Sequence, residues 1–175
     1  MNRTNEAPRH RGHSVGEAVG RALHQAAATL AKVSREDARL EAEVLLAHAM
    51  RIDRSHLLAR LGDRVEDDAG ATFDALIARR LAREPLAYIV GSREFYGIAI
   101  ACSPVALIPR PETELLVELA LARVPVDTGL RIADLGTGSG AIALAIAKER
   151  PRTAVIATDA STAALEVARR NATRN

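Results

Sequence analysis

The chain has 175 residues, 48% of them hydrophobic and 26% charged, enough to bury one sizeable core or two smaller ones. Only Phe73, Tyr88, Phe95 and Tyr96 are aromatic, which excludes a stacking platform for single-stranded nucleic acid and gives poor material for a sugar groove. The net charge of +2 is carried by residues 1–13, so the body of the chain is neutral and its composition points to no nucleic-acid partner.

Residues 1–13 are polar, contain Pro8 and Gly12, and are expected to form a disordered tail. Ser14 is placed to cap a helix whose apolar stripe is Val15, Val19, Ala22, Leu23, Ala26 and Leu30. Ser34 is expected to open a second helix, with Asp37 in a capping-box-like position and a stripe of Ala38, Ala42, Leu45, Leu46 and Ala49. A short piece around Leu57 and Leu58 precedes a third long helix from about Asp68 to Arg83, with Phe73, Leu76, Ile77 and Leu81 inward. Residues 14–84 thus read as a small helical bundle.

Pro85 marks a change of texture. Ser92 to Phe95 and Ile98 to Cys102 are β-prone and flank Tyr96-Gly97, which reads as a hairpin. Leu107-Ile108 is a candidate further strand, stopped by Pro109 and Pro111. A helix from about Glu112 would turn Leu115, Leu116, Leu119 and the stem of Arg123 to the core. Residues 85–111 are read as a hairpin linker. Ile132, Ala133 and Leu135 are expected to make a buried strand, Gly136 to Gly140 a glycine loop, and Ala141 to Arg150 a buried helix. Thr153 to Thr158 forms a second strand ended by Asp159, and Ser161 caps a final helix. Strand, loop, helix, strand and helix in that order open a doubly wound α/β domain, placed at residues 112–175.

One cysteine, Cys102, allows no intrachain disulfide and fits a reducing compartment. The longest apolar run, Ala141 to Ala147, is too short to cross a bilayer, so a soluble, cytoplasmic protein without membrane association is expected. His10 and His13 have a metal-like spacing but no partner cluster, and no metal site is expected. His24, His48 and His56 read as surface or packing residues, and Arg79-Arg80 and Arg169-Arg170 as solvated helix faces.

The chemistry concentrates in Asp134-Leu135-Gly136-Thr137-Gly138-Ser139-Gly140. Gly136 and Gly138 permit a tight turn and a close backbone approach to a ligand. The helix N-terminus behind them presents N–H groups that favour a negatively charged ligand group. Asp159 ends the next strand, where a carboxylate can accept from both hydroxyls of a ribose. Loop and acid together call for a nucleoside-bearing cofactor. Gly136, Gly138 and Ala141 also satisfy the G-x-G-x-x-A dinucleotide pattern, so a nicotinamide cofactor and an oxidoreductase remain an alternative. Asp134 and the third alternate glycine favour S-adenosyl-L-methionine, since D-x-G-x-G-x-G resembles motif I of class I methyltransferases.

Two further motifs, Gly91-Ser92-Arg93-Glu94-Phe95-Tyr96-Gly97 and Ile108-Pro109-Arg110-Pro111-Glu112-Thr113-Glu114, read alone as a tight hairpin and a rigid turn into an acidic helix start. In this order after a helical bundle and before the glycine loop, they resemble the HemK family from about residue 14 onward. Its members are protein-(glutamine-N5) methyltransferases that modify peptide chain release factors. The resemblance implies an α + α/β architecture: an N-terminal helical domain that helps recognise the release factor, a hairpin linker, and the start of a Rossmann-like methyltransferase domain. It implies that Asp134, Gly136, Thr137, Gly138, Ser139, Gly140 and Asp159 bind S-adenosyl-L-methionine, and that Arg110, Glu112 and Thr113 lie beside that site.

The family's Asn-Pro-Pro-Tyr motif, which holds the substrate glutamine, has no counterpart, because the sequence contains no Asn-Pro pair. The chain ends at Asn175 after two strands of a sheet that normally has seven, and reads as a truncated domain. No catalytic residue is therefore assigned, and the chain is expected to be an inactive monomer. A close variant is the paralogue that methylates a ribosomal protein glutamine; a different class is a non-catalytic module that retains release-factor affinity.

Overall fold

The computed structural model describes residues 16–175, and the tail, Ser14 and Val15 fall outside that range. The described residues divide into two compact units, one ending at Val90 and one running from Gly91 to Asn175.

The first unit contains α1 (Val19–Leu30), α2 (Ala38–Met50), α3 (Arg54–Leu58), α4 (Asp67–Leu81) and α5 (Leu86–Val90). Its core takes Val19, Leu23, Ala26 and Leu30 from α1, Ala42, Leu45 and Leu46 from α2, Leu57 from α3, and Phe73 and Ile77 from α4. These are the residues that helical spacing places on one stripe of each element. The N-terminus of α1 is satisfied by backbone rather than by a side-chain cap. The Val19 and Gly20 amides donate to the carbonyls of Asp63 and Leu61, each at 2.9 Å. The second helix starts later than expected: Ser34 lies between two turns, and Asp37 is the N-cap residue without a side-chain bond.

Three acidic or basic positions are less exposed than a solvated helix face would make them. Arg80 is not a surface residue. Its guanidinium forks onto Glu41, with Nε 2.9 Å and Nη2 3.0 Å from the two carboxylate oxygens. Glu43 accepts from Arg39 and Arg54, each at 2.7 Å. Burial alone would raise the Glu43 carboxyl, but the hydrogen bonds and charges of Arg54 and Arg39 outweigh it and hold the group below its ordinary value. A depressed carboxyl contributes stability above its unfolded pKa, and that contribution is lost as the pH falls through the folded value. The melting temperature of the helical unit should therefore drop as the pH is lowered below the ordinary 4.5 of a glutamate. Glu43→Gln should flatten part of that drop in a thermal melt followed by circular dichroism.

The second unit begins with β1 (Ser92–Phe95) and β2 (Ile98–Ala101), an antiparallel hairpin in which Phe95 faces Ile98. Its two-residue turn has Tyr96 at φ +51° and Gly97 at φ +67°, the left-handed pair that matches strand twist. No strand forms at Leu107-Ile108, where the chain runs as irregular structure into a 3₁₀ turn at Pro111–Thr113 and then α6 (Glu114–Leu121). Next come β3 (Arg131–Leu135), α7 (Ala141–Glu149), β4 (Ala154–Thr158) and α8 (Thr162–Arg174). Strands β3 and β4 are parallel, with Asp134 opposite Ala157 and Leu135 opposite Thr158. The core packs Phe95, Ile98 and Ile100 of the hairpin with Val117 of α6 and Ala141, Ala145 and Ile146 of α7.

Helix α6 contradicts the expected face. Val117 is its buried residue, with Ala120 and Leu121 packed beside it, whereas Leu115, Leu116 and Leu119 are about half exposed. Arg123 is exposed and bonds the Leu119 carbonyl. Arg150, just past α7, donates to the carbonyls of Leu121 at the end of α6 and of Val124 beyond it, at 3.0 and 2.7 Å. Strand β3 is not buried as expected, because the two-stranded sheet is covered on one side only. Ile132 and Val155 pack towards the core, but Leu135 is 79% exposed and Ile156 is exposed.

Candidate cofactor-binding site

Parallel strands place their carboxyl ends on one edge, and this edge carries the site. Beyond the last ladder pair, the Gly136 and Thr137 amides both donate to the Thr158 carbonyl at 2.8 Å. The chain can double back there because Gly136, Gly138 and Gly140 adopt φ values of +80°, +55° and +84°. The loop then enters α7 with Gly140 at the N-cap position.

The sequence-predicted residues fall into one cluster. The Thr137 hydroxyl donates to Asp134 Oδ2 at 2.7 Å, fixing the loop to the end of β3. The Gly138 amide donates to Asp159 Oδ2 at 2.8 Å, so the loop and the acid of the next strand touch. The Ser161 amide donates to Asp159 Oδ1 at 2.9 Å. Those two backbone donors, Ser161 first, hold the Asp159 carboxyl below its ordinary value. It is accordingly a carboxylate throughout the neutral range.

The three glycines do different work. A methyl group at Gly136 or Gly138 would meet no heavy atom within 4 Å, so open space lies against the backbone at both. At Gly140 it would lie 3.1 Å from the Ala168 Cβ, so this glycine permits the close passage of α7 against α8. Open space beside two glycines, a helix N-terminus and an ionised acid on the same strand edge fit a nucleoside-bearing cofactor. Arg110 and Glu112 are exposed and Thr113 half-buried. Among the described residues, no hydrogen bond or ion pair joins the side chains of these three to the loop. No group of three His, Cys, Asp or Glu among the described residues is placed to hold a metal ion.

Three supporting residues were given no role by the sequence, although Glu114 ends one of its motifs. Glu114 accepts from the Tyr96 amide at 3.0 Å, and Lys148 donates to the Gly97 carbonyl at 3.0 Å, so the hairpin turn is held from α6 and α7. Asn171 of α8 is fully buried. Its signal lies in the sequence: Ala164, Val167, Ala168 and Asn171 form one apolar stripe, on which an asparagine is out of place unless it is bonded.

The loop, the two parallel strands and the helices have the order of a doubly wound α/β domain, joined in the chain to a helical unit. Residues 112–175 match the family model described as "Methyltransferase small domain", and residues 21–91 match "PrmC N-terminal domain". Over most of its length the chain is similar to curated proteins named release factor glutamine methyltransferase. It is 51% identical over 146 residues to the release factor glutamine methyltransferase of Burkholderia pseudomallei, covering 83% of this chain and 51% of that protein. It is 50% identical over 134 residues to the protein so named in Coxiella burnetii, covering 77% of this chain and 48% of that protein. For the Escherichia coli protein of that name the identity is 47% over 137 residues, covering 78% of this chain and 49% of the relative. The chain thus spans about half the length of the curated relatives it matches. No helix among the described residues is long and apolar enough to cross a membrane.

Proposed function

We propose that this chain supplies the cofactor half-site of a methyltransferase acting on the side-chain amide N5 of a glutamine in a peptide chain release factor, and that S-adenosyl-L-methionine is the cofactor. The observation that carries the reading is the bond from the Gly138 amide to Asp159, which brings the glycine loop and the ribose-binding acid to one place. Gly136 and Gly138 would let the cofactor lie against the backbone, and Asp159 would accept from its ribose hydroxyls. Asp134 keeps Thr137 in place, and Gly140 fixes the helix behind the loop. The bound cofactor supplies an electrophilic sulfonium methyl group. The glutamine amide is a weak nucleophile, and orienting it calls for a separate site. No residue of this chain is assigned to that site, since the sequence has no Asn-Pro pair. The helical unit is the part we assign to recognition of the release factor, and its likeness to the domain of the relatives supports this.

Calorimetric titration of the purified chain tests the reading. S-adenosyl-L-methionine should bind and oxidised nicotinamide dinucleotide should not; the reverse would sink it. With methyl-labelled cofactor and a release factor, the chain alone should transfer no label.

A further inference from the structure

Strand β2 pairs with β1 along one edge, and its other edge is met by side chains of α8. The Ala101 amide donates to Asn171 Oδ1 at 2.8 Å, and Asn171 Nδ2 donates back to the Ala101 carbonyl at 3.2 Å. This side-chain amide occupies the place of a neighbouring strand's peptide. One turn further on, Asn175 Nδ2 donates to the Ala99 carbonyl at 3.3 Å. The match has a simple metric basis: four residues of helix advance about 6 Å and two residues of strand about 6.8 Å. Two asparagines spaced by one helical turn therefore meet alternate residues of an extended edge.

Asn171 does one thing more. Its Nδ2 also donates to the Ser139 carbonyl, at 2.9 Å, inside the glycine loop. The adjoining Gly140 amide donates to the Thr137 carbonyl at 2.9 Å. The peptide between Ser139 and Gly140 is thus held at both its oxygen and its nitrogen. Both protons of the Asn171 amide and its oxygen are used, and the side chain is 0% exposed, so no water competes for them.

We propose that Asn171 is a positioning residue for the cofactor loop, tying the Ser139–Gly140 peptide to the edge of β2 so that the loop is preset before the cofactor arrives. The inference rests on the cofactor reading for its effect on affinity, but not for the tie itself. Preorganisation of this kind acts on affinity because the bound conformation is already ordered in the free protein.

The test uses the whole chain and three variants. Asn171→Ala should speed hydrogen exchange at the Ala101 amide at least tenfold and shift the amide resonances of Ser139 and Gly140. It should weaken S-adenosyl-L-methionine binding at least tenfold by calorimetry. Asn171→Asp keeps an acceptor for the Ala101 amide but loses both donors, so protection at Ala101 should survive while affinity falls. Asn175→Ala touches β2 but not the loop, and should change affinity less than twofold. Circular dichroism shows which variants fold, and Asn171→Asp decides the matter if Asn171→Ala does not. Unchanged Ser139 and Gly140 resonances in a folded Asn171 variant would overturn the proposal, as would affinity within twofold of the unsubstituted chain. If the unsubstituted chain fails to bind the cofactor, the cofactor reading falls, and the exchange and resonance data still judge the tie.

Discussion

Replacing Arg80 by alanine should cost the helical unit about 3 kcal/mol, seen as a lower urea midpoint with an unchanged slope. The side chains of Arg80 and Glu41 are 15% and 9% exposed, and their two-pronged contact joins α4 to α2. Removing the guanidinium leaves a carboxylate without its counter-charge in a mostly apolar setting, which is the expensive way to break such a pair. Residual exposure lets some water reach Glu41, so the loss should fall at the lower end of the range for buried pairs. The double replacement Glu41→Leu with Arg80→Met removes both charges and should recover most of the loss. A midpoint for Arg80→Ala within experimental error of the unsubstituted chain would show that Glu41 is hydrated and that the pair contributes little.

Replacing Asp159 by alanine should weaken binding of S-adenosyl-L-methionine by roughly 30- to 150-fold, or about 2–3 kcal/mol. Two effects add. On the proposed reading the cofactor loses a charged acceptor for its ribose, and the Gly138 amide loses the partner that holds the loop. Asp159→Asn separates them, because an amide oxygen can still accept from Gly138 while the charge is gone, and its loss should be smaller. The direction of the Asp159 shift means that the carboxylate is fully formed near neutrality, so affinity should be flat with pH there. Affinity of Asp159→Ala within twofold of the unsubstituted chain would remove this residue from the cofactor site.

Much of this arrangement could be read along the chain, for reasons that differ from element to element. Helices α1, α2 and α4 carry a single apolar stripe with polar residues opposite, so period and burial agree. Tyr96-Gly97 between two alternating segments could only be a tight turn. That Asp134, the glycines and Asp159 come together was legible because a strand that doubles back into a helix restricts what can stand in the turn. Helix α6 was not legible, since leucines lie on both of its sides and periodicity cannot choose between Val117 with Leu121 and Leu115 with Leu119. Arg80 and Asn171 were missed because their partners, Glu41 and Ala101, lie 39 and 70 residues away. A polar residue on an apolar stripe is the local sign of such a distant partner.

The bare side of the β3–β4 sheet changes what stability means for the second unit. A parallel sheet ordinarily has cover on both faces, and here Leu135 and Ile156 leave one face exposed. Whatever apolar surface lies against that face binds the folded form and not the unfolded one, so it stabilises by mass action. The melting temperature of residues 91–175 should then rise with the concentration of whatever surface covers that face.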